Sequence, residues 1–183
     1  MSASFPKLLQ RIRVPSGFVV AIIYFIFSRP TPPFLAAGLG IALTGVLIRA
    51  WASGHLRKSK ELDVSGPYAF TRNPLYLGTF IIAIGFGVAS GSWWLTLMTA
   101  VYIGGIYFPV MNVEAFELEG RLGEEYKEYA ANVPILIPRL TPWKKSDRRF
   151  DFQLYLKNGE YNASIGLGIA AVVLTVKAFL LQY

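Results

Sequence analysis

Residues 75–113 read LYLGTFIIAIGFGVASGSWWLTLMTAVYIGGIYFPVMNV, and this almost wholly apolar stretch is broken once, at Gly91 and Ser92. A helix of ~20 apolar residues spans the hydrocarbon of a bilayer, and a connection this short makes consecutive helices run antiparallel. Residues 75–90 and 93–113 are therefore expected to form a membrane-spanning helical hairpin. Further apolar runs lie at 14–28, 34–52 and 163–181, and the five runs are each about 15 to 21 residues long. RPTPP, residues 29–33, supplies a second short connection. The expected fold class is all-α: a polytopic membrane protein with about five transmembrane helices, with residues 1–183 as a single membrane-embedded domain. The runs at 14–28 and 75–90 are short, so tilt, bilayer thinning or flanking residues must make up their length, or one is only partly inserted.

Composition agrees with a membrane protein. Of 183 residues, 54% are hydrophobic and 16% charged, and the mean hydropathy is +0.43, a balance unlike that of soluble domains. The absence of cysteine excludes disulfides, thiolate metal sites and a cysteine nucleophile. A single histidine, His55, argues against a histidine-built metal site, so no metal is expected. SASFPKLLQRIRV at the N-terminus has no small-residue cleavage site after a compact apolar core, so the first segment is expected to be retained.

The net charge of +7 is sorted by loop. Lys7, Arg11 and Arg13 precede the first run, and Arg57, Lys58, Lys60 and Arg72 lie between the second and third. Arg121, Lys127, Arg139, Lys144, Lys145, Arg148, Arg149 and Lys157 lie between the fourth and fifth. Only Arg29 falls on the other side, with Arg49 and Lys177 inside helices. By the positive-inside rule the N-terminus and both long loops are cytoplasmic and the C-terminus is outside, as in an inner-membrane protein. The basic charge then reports topology and contact with anionic lipid, with no nucleic acid as partner.

Residues 114–132, EAFELEGRLGEEYKEYAAN, place Ala115, Leu118, Leu122, Tyr126 and Tyr129 at steps of three and four. This predicts a cytoplasmic amphipathic continuation of the fourth helix along the interface. VPILIPRLTPW follows, with proline at 134, 138 and 142, which favours extended chain. KKSDRR is then a basic surface loop.

Just upstream of the hairpin lies GPYAFTRNPLYLG, residues 66–78. Asn73 before Pro74 is a good helix start, since asparagine caps free N–H groups and proline suits the first helical position. Arg72 beside that N-terminus makes an anion site at the membrane edge, flanked by Tyr76 and Gly78, and the Gly66-Pro67 turn brings Tyr68 back to it. An ordinary juxtamembrane turn, with a snorkelling arginine and interfacial tyrosines, accounts for the same residues. Glu114, where the fourth helix leaves the bilayer, is costly unless paired and is a second candidate. Glu117, Glu124 and Glu128 read as a solvated face, with Arg121 pairing Glu117 or Glu125. Arg49 either snorkels or lines a cavity. His55 reads as interfacial. Asn162 lies in a glycosylation triplet on the cytoplasmic side and is discounted.

GPYAFTRNPLYLG resembles the R-[HN]-P-x-Y-x-G signature of the isoprenylcysteine carboxyl methyltransferase and phospholipid methyltransferase group of integral membrane enzymes. EAFELEGRLGEEYKEYAANVPILIP resembles the group's second signature, E-E-x-x-L-x-x-x-F-G-x-x-Y-x-x-Y followed by V-P. Arg72, Pro74, Tyr76 and Gly78 match the first; Glu114, Leu118, Gly123, Tyr126 and Tyr129 match the second. Asn73 stands for the histidine of the eukaryotic carboxyl methyltransferases, Ala115 for the second glutamate and Leu122 for phenylalanine. The resemblance implies S-adenosylmethionine-dependent methyl transfer to a lipid-like acceptor, a prenylcysteine-type carboxylate or a phospholipid amine, at the cytoplasmic face. It implies a cofactor cradle of Gly66, Tyr68, Arg72, Asn73, Pro74, Tyr76, Gly78, Glu114 and Tyr126, with Arg72 and Glu114 catalytic. The acceptor's apolar end is expected to enter between helices, beside Gly85 and Gly87 or Gly104 and Gly105, unless these glycines serve close packing. A related reductase using NADPH and a non-catalytic membrane scaffold are the alternatives.

Overall fold

The computed structural model describes residues 4–57 and 61–181. Lys58 and Lys60, and the side chains of Lys7, Arg11 and Arg13, lie outside what is described. The described residues form helices α1 (Ser4–Phe27), α2 (Pro32–Ser53), α3 (Pro74–Ala89), α4 (Trp93–Leu122), α5 (Glu124–Asn132), α6 (Phe152–Asn158) and α7 (Tyr161–Leu180). A 3-10 turn spans Gly66–Ala69, and no strand occurs among the described residues. Each of the five apolar runs maps to one of α1, α2, α3, α4 and α7, with only Ser28, Ser90 and Leu181 falling just past a helix end. Three of these helices, α2, α4 and α7, are long and apolar enough to cross a membrane by length and composition. Pro15–Phe27 and Pro74–Ala89 are shorter apolar helices, as the run lengths predict.

The fourth helix continues beyond its apolar run. Its 30 residues reach about 45 Å at ~1.5 Å per residue, longer than the ~30 Å hydrocarbon layer. The amphipathic continuation is present but not continuous: Gly123, at φ 57° and ψ −127°, ends α4 and starts α5 in a conformation open to glycine. On this face Glu124 pairs with Lys127 at 2.7 Å and Glu128 with Lys144 at 3.2 Å. Among the described ion pairs these replace the expected pairing of Arg121 with Glu117 or Glu125.

The closest helix contact joins α2 to α3, backbone against backbone. A Cβ added to Gly38 would lie 2.4 Å from the Gly85 carbonyl oxygen, and one at Gly45 2.6 Å from that of Gly78. Conversely, a Cβ at Gly85 would lie 2.5 Å from the Ala42 nitrogen. Small residues permit such approach where lipid and protein are equally apolar and packing alone distinguishes them. The sequence alternative of a lateral gap beside Gly85 and Gly87 is thereby corrected: α2 closes on Gly85 and Thr96 on Gly87, whereas Gly105 has nothing within 4 Å. Gly85→Ala is therefore expected to cost about 1–3 kcal/mol, because backbone atoms cannot yield as a side chain can. Gly105→Ala is expected to cost nothing. Thermal unfolding of the two variants in one detergent checks the contrast.

Arg49 is fixed by a partner 111 residues away. Its guanidinium meets Glu160, just before α7, with Nη2 2.7 Å from Oε2 and 2.9 Å from Oε1, and Nε 3.0 Å from Oε2. Nη1 donates to Thr79 Oγ1 at 2.6 Å and the Leu75 carbonyl at 3.2 Å. Asn158 Nδ2 donates to the carbonyls of Ser53 and Leu56, both at 2.9 Å. The start of α7 is thus pinned to the ends of α2 and α3. Hydropathy gives no sign of α6: Asp151 caps it, Oδ1 accepting from the Leu154 N–H at 3.1 Å, and Gly159 closes it at φ 72°.

Candidate functional site

The loop between α2 and α3 is built on His55. The ring is buried, its Nδ1 3.0 Å from the Trp51 carbonyl oxygen. It packs so closely on Gly66 that a Cβ there would lie 2.6 Å from the ring, and the φ of +55° at Gly66 turns the chain into the 3-10 segment. Tyr68 follows, buried against α5, where the Tyr129 hydroxyl donates to the Tyr68 carbonyl at 2.8 Å.

Residues 69–73 are then laced to the proline-rich segment. The N–H of Arg72 donates to the Pro134 carbonyl, that of Arg139 to Phe70 and that of Trp143 to Ala69, each at 2.9 Å. Thr71 Oγ1 donates to the Leu136 carbonyl, also at 2.9 Å. Pro134, Pro138 and Pro142 prevent a helix here, so these carbonyls take donors from outside the segment. Asn73 follows that rule. It occupies the N-cap position of α3 as expected, but its amide makes no cap; Nδ2 donates to the Ile135 carbonyl at 2.9 Å. The cap reading is corrected: the unpaired carbonyl across the loop takes the donor.

Beneath this loop a cleft of about 290 Å³ opens between residues 56–57 and 61–73, the end of α4 and α5. That is just below the ~300–1,000 Å³ common for small-molecule sites. Of the sequence-expected residues, Tyr68, Arg72, Asn73, Glu114 and Tyr126 line it. Tyr76 stands behind, donating its phenol to Glu114 Oε1 at 2.6 Å. Pro74 is buried at the start of α3. Gly78 serves the α2–α3 contact, where an added Cβ would lie 2.5 Å from Arg49 Cγ. Gly66 shapes the loop from beside His55. Ala115 and Met111 add apolar wall.

The cleft also holds residues that sequence reasoning passed over as site groups. Asp63, Arg57 and Glu61 enter from the loop, Arg121 from α4, and Tyr129, seen only as a motif match, from α5. Nothing periodic marks ELDVSG, and only the hydrophilic loop beside the motif hinted at them. Arg72 Nη1 reaches Tyr126 Oη at a long 3.4 Å, and its buried Nε has no hydrogen-bond partner. Asp63 Oδ2 accepts from the Arg57 N–H at 2.8 Å, while buried Oδ1 accepts no hydrogen bond. Burial pushes the Asp63 carboxyl above the usual carboxylate range, although the Arg57 N–H and the Arg148 charge oppose the shift. Burial likewise pushes the phenols of Tyr68 and Tyr129 well upward, so both stay protonated hydrogen-bond donors at neutral pH. Among the described residues no group of carboxylates and imidazole could hold a metal ion.

The fold and this cleft define a class: an all-helical polytopic membrane protein with a polar pocket of mixed charge at one end of its helices. Residues 48–124 match the family model of phospholipid methyltransferases, so the segment from the end of α2 through α4 is of phospholipid methyltransferase type. This bears out the resemblance carried by the two motifs. The chain is 27% identical over 140 residues to the protein-S-isoprenylcysteine O-methyltransferase of Schizosaccharomyces pombe, across 74% of this chain and 59% of that protein. It is 32% identical over 140 residues to the cobalt-zinc-cadmium resistance protein CzcN of Cupriavidus metallidurans, across 72% and 64%. The nickel-cobalt-cadmium resistance protein NccN of Alcaligenes xylosoxydans xylosoxydans is 33% identical over 112 residues, across 58% and 52%. The chain therefore spans between half and two thirds of the length of these relatives. No solved structure gives a significant match. Tyr126, Tyr129 and the proline-rich segment lie beyond the residues of the family match.

Proposed function

We propose that the protein is an S-adenosylmethionine-dependent methyltransferase that acts on a lipid-like acceptor at the cytoplasmic face of the inner membrane, with residues 1–183 working as one domain. The observation that carries the reading is a guanidinium, Arg72, whose buried Nε has no partner, in the same cleft as the carboxylate of Glu114. An arginine with a spare buried donor fits a carboxylate, a glutamate held by a phenol fits an ammonium, and tyrosine faces fit a sulfonium. These are the three charged groups of the cofactor.

When bound, S-adenosylmethionine supplies a methyl group activated by its sulfonium. The chain's part is to bind, orient and exclude water. Arg72 and the start of α3 hold the carboxylate, Tyr76 fixes the Glu114 carboxylate, and Ala115 and Met111 form apolar wall. Because methyl transfer disperses charge, alignment and water exclusion supply most of the acceleration. By the charge pattern, Arg139, Lys144, Lys145, Arg148, Arg149 and Lys157 share the membrane face of the cleft loop and suit contact with anionic lipid headgroups.

Calorimetric titration of S-adenosylmethionine into the detergent-purified protein, with NADPH as competitor, tests the reading. Micromolar binding unaffected by NADPH is the expected result. NADPH binding in its place would turn the assignment to a reductase, and binding of neither by folded protein would favour the scaffold.

A further inference from the structure

Residues 143–151 cross the outside of the loop between α2 and α3 as a strap. At one end the Trp143 N–H donates to the Ala69 carbonyl, at the other the Asp151 N–H donates to that of Gly54, both at 2.9 Å. The Phe150 ring lies against Gly54, its centroid 6.3 Å from that of His55. Between these pinned ends, among the described ion pairs, the strap holds the loop through Arg148. Nη2 is 3.5 Å from Glu61 Oε2 and Nη1 is 3.7 Å from Asp63 Oδ1. Both are long beside the 2.7 Å of Arg49 to Glu160, and the Arg148 side chain is 40% exposed. Such a latch is weak and open to a competitor.

Glu61, Leu62 and Asp63 line the cleft, so the latch holds part of its wall. Asp63 gives the latch its leverage. Its Oδ2 accepts from the Arg57 N–H at 2.8 Å, whereas buried Oδ1 accepts no hydrogen bond and has Arg148 as its cation among the described ion pairs. A buried carboxylate that loses its cation is driven toward water.

The strap carries what a competitor would bind. Lys144 pairs with Glu128 and lies over the Trp143 ring, while Lys145 and Arg149 have no carboxylate partner among the described ion pairs. Asp147 is the one acid between Lys144 and Arg149. Phe150, Phe152 and Leu156 follow, all exposed. Asn158, at the end of α6, is tied to the Ser53 and Leu56 carbonyls at the end of α2. The short helix α6 therefore sits at the level where α2 and α7 enter the bilayer. Basic residues followed by exposed aromatic and aliphatic ones are the pattern of a segment lying in a membrane interface. A phosphate at that level meets an arginine able to fork onto it.

We propose that residues 144–156 dock anionic lipid headgroups of the cytoplasmic leaflet, and that a headgroup phosphate competes with Glu61 and Asp63 for Arg148. Lys145 and Arg149 attract the headgroup, and Phe152 and Leu156 hold the segment at its depth. With Arg148 drawn to the phosphate, Asp63 Oδ1 loses its cation and residues 61–63 loosen from the cleft wall. A molecule filling the cleft needs that wall, so by linkage it and the anionic lipid oppose each other. Only this last step rests on the methyltransferase reading, which names the molecule.

Amide exchange at Arg57 and residues 61–65 reports the latch, since Asp63 holds the Arg57 N–H. The full chain is measured in phosphatidylcholine nanodiscs with and without phosphatidylglycerol. In wild type, phosphatidylglycerol is expected to speed exchange about tenfold, within the usual range of coupling between sites. Arg148→Gln, which lacks the latch, is expected to exchange fast in both discs. Lys145→Gln with Arg149→Gln, which lacks the docking charge, is expected to exchange slowly in both. Soluble glycerol 3-phosphate added to phosphatidylcholine discs is expected to change nothing. Wild-type exchange indifferent to phosphatidylglycerol, or Arg148→Gln protected like wild type, overturns the proposal. An equal response to glycerol 3-phosphate makes the site one for free phosphate and overturns the membrane partner. By calorimetry in the same discs, phosphatidylglycerol is expected to weaken S-adenosylmethionine binding about fivefold. Unchanged affinity overturns the link to the cleft. Binding in neither disc overturns the methyltransferase reading and leaves the competition for Arg148 standing on the exchange data.

Discussion

Arg72→Ala is expected to weaken S-adenosylmethionine binding by about 10- to 100-fold, the equivalent of ~1.5–3 kcal/mol for hydrogen bonds to a charged group. The same substitution is expected to change the melting temperature little. Both expectations come from how the side chain is held. The Arg72 backbone N–H secures the loop to Pro134 and survives the mutation. The guanidinium has no carboxylate partner among the described ion pairs, only the long contact to Tyr126 and an unmatched Nε. On the proposed reading, its spare hydrogen-bonding capacity serves a ligand rather than the fold. Arg72→Lys is expected to restore the charge but not the affinity, since a point ammonium does not reproduce the planar fork of donors. Calorimetry and thermal unfolding on the same samples measure both quantities. Unchanged affinity in Arg72→Ala would move the anion-binding role to Arg57 or Arg121 and sink the assignment of Arg72.

Glu160→Ala is expected to give the opposite pattern, a large loss of stability. It leaves the Arg49 guanidinium, part-buried between α2 and α3, with Thr79 and the Leu75 carbonyl and no counter-charge. Removing one member of a buried ion pair costs ~3–5 kcal/mol. The side chains here are 22% and 15% exposed, so water screens part of that charge and the lower end of the range applies. The paired change Arg49→Met with Glu160→Leu replaces both charges by apolar groups and is expected to recover most of the loss, because neither charge then remains unmatched. Thermal unfolding of the single and paired variants, with proteolysis of residues 144–160 to detect release of α7, checks this. A single variant as stable as wild type would show that the clamp contributes nothing.

Both residues were visible in the sequence, but to different depths. Arg72 was legible because its context is local: a proline at the first helical position, an asparagine before it and a matched motif are all within a few residues. Arg49 was legible only as an oddity inside an apolar run. Its partner follows it by 111 residues, and no local pattern connects them. Asp63 was harder still. Its burial and its place in the cleft have no sequence signature. Asn73 shows the same division within one residue: the helix start it marks is real, while its amide serves a carbonyl 62 residues away.

The sequence by itself determined the five apolar helices, the start of α3 at Pro74 and the motifs of the central segment. These follow from run length, proline and glycine chemistry and short motifs, which act over one or two helical turns. Tertiary structure alone decided that α2 closes against α3, that Gly123 separates α4 from α5 and that the proline-rich segment is laced to the motif loop. It also brought Asp63 into the same cleft as Glu114. Those outcomes depend on which distant backbone carbonyl, carboxylate or glycine face meets each group when water is excluded, and in a polar cleft every such pairing is settled by packing across the whole chain.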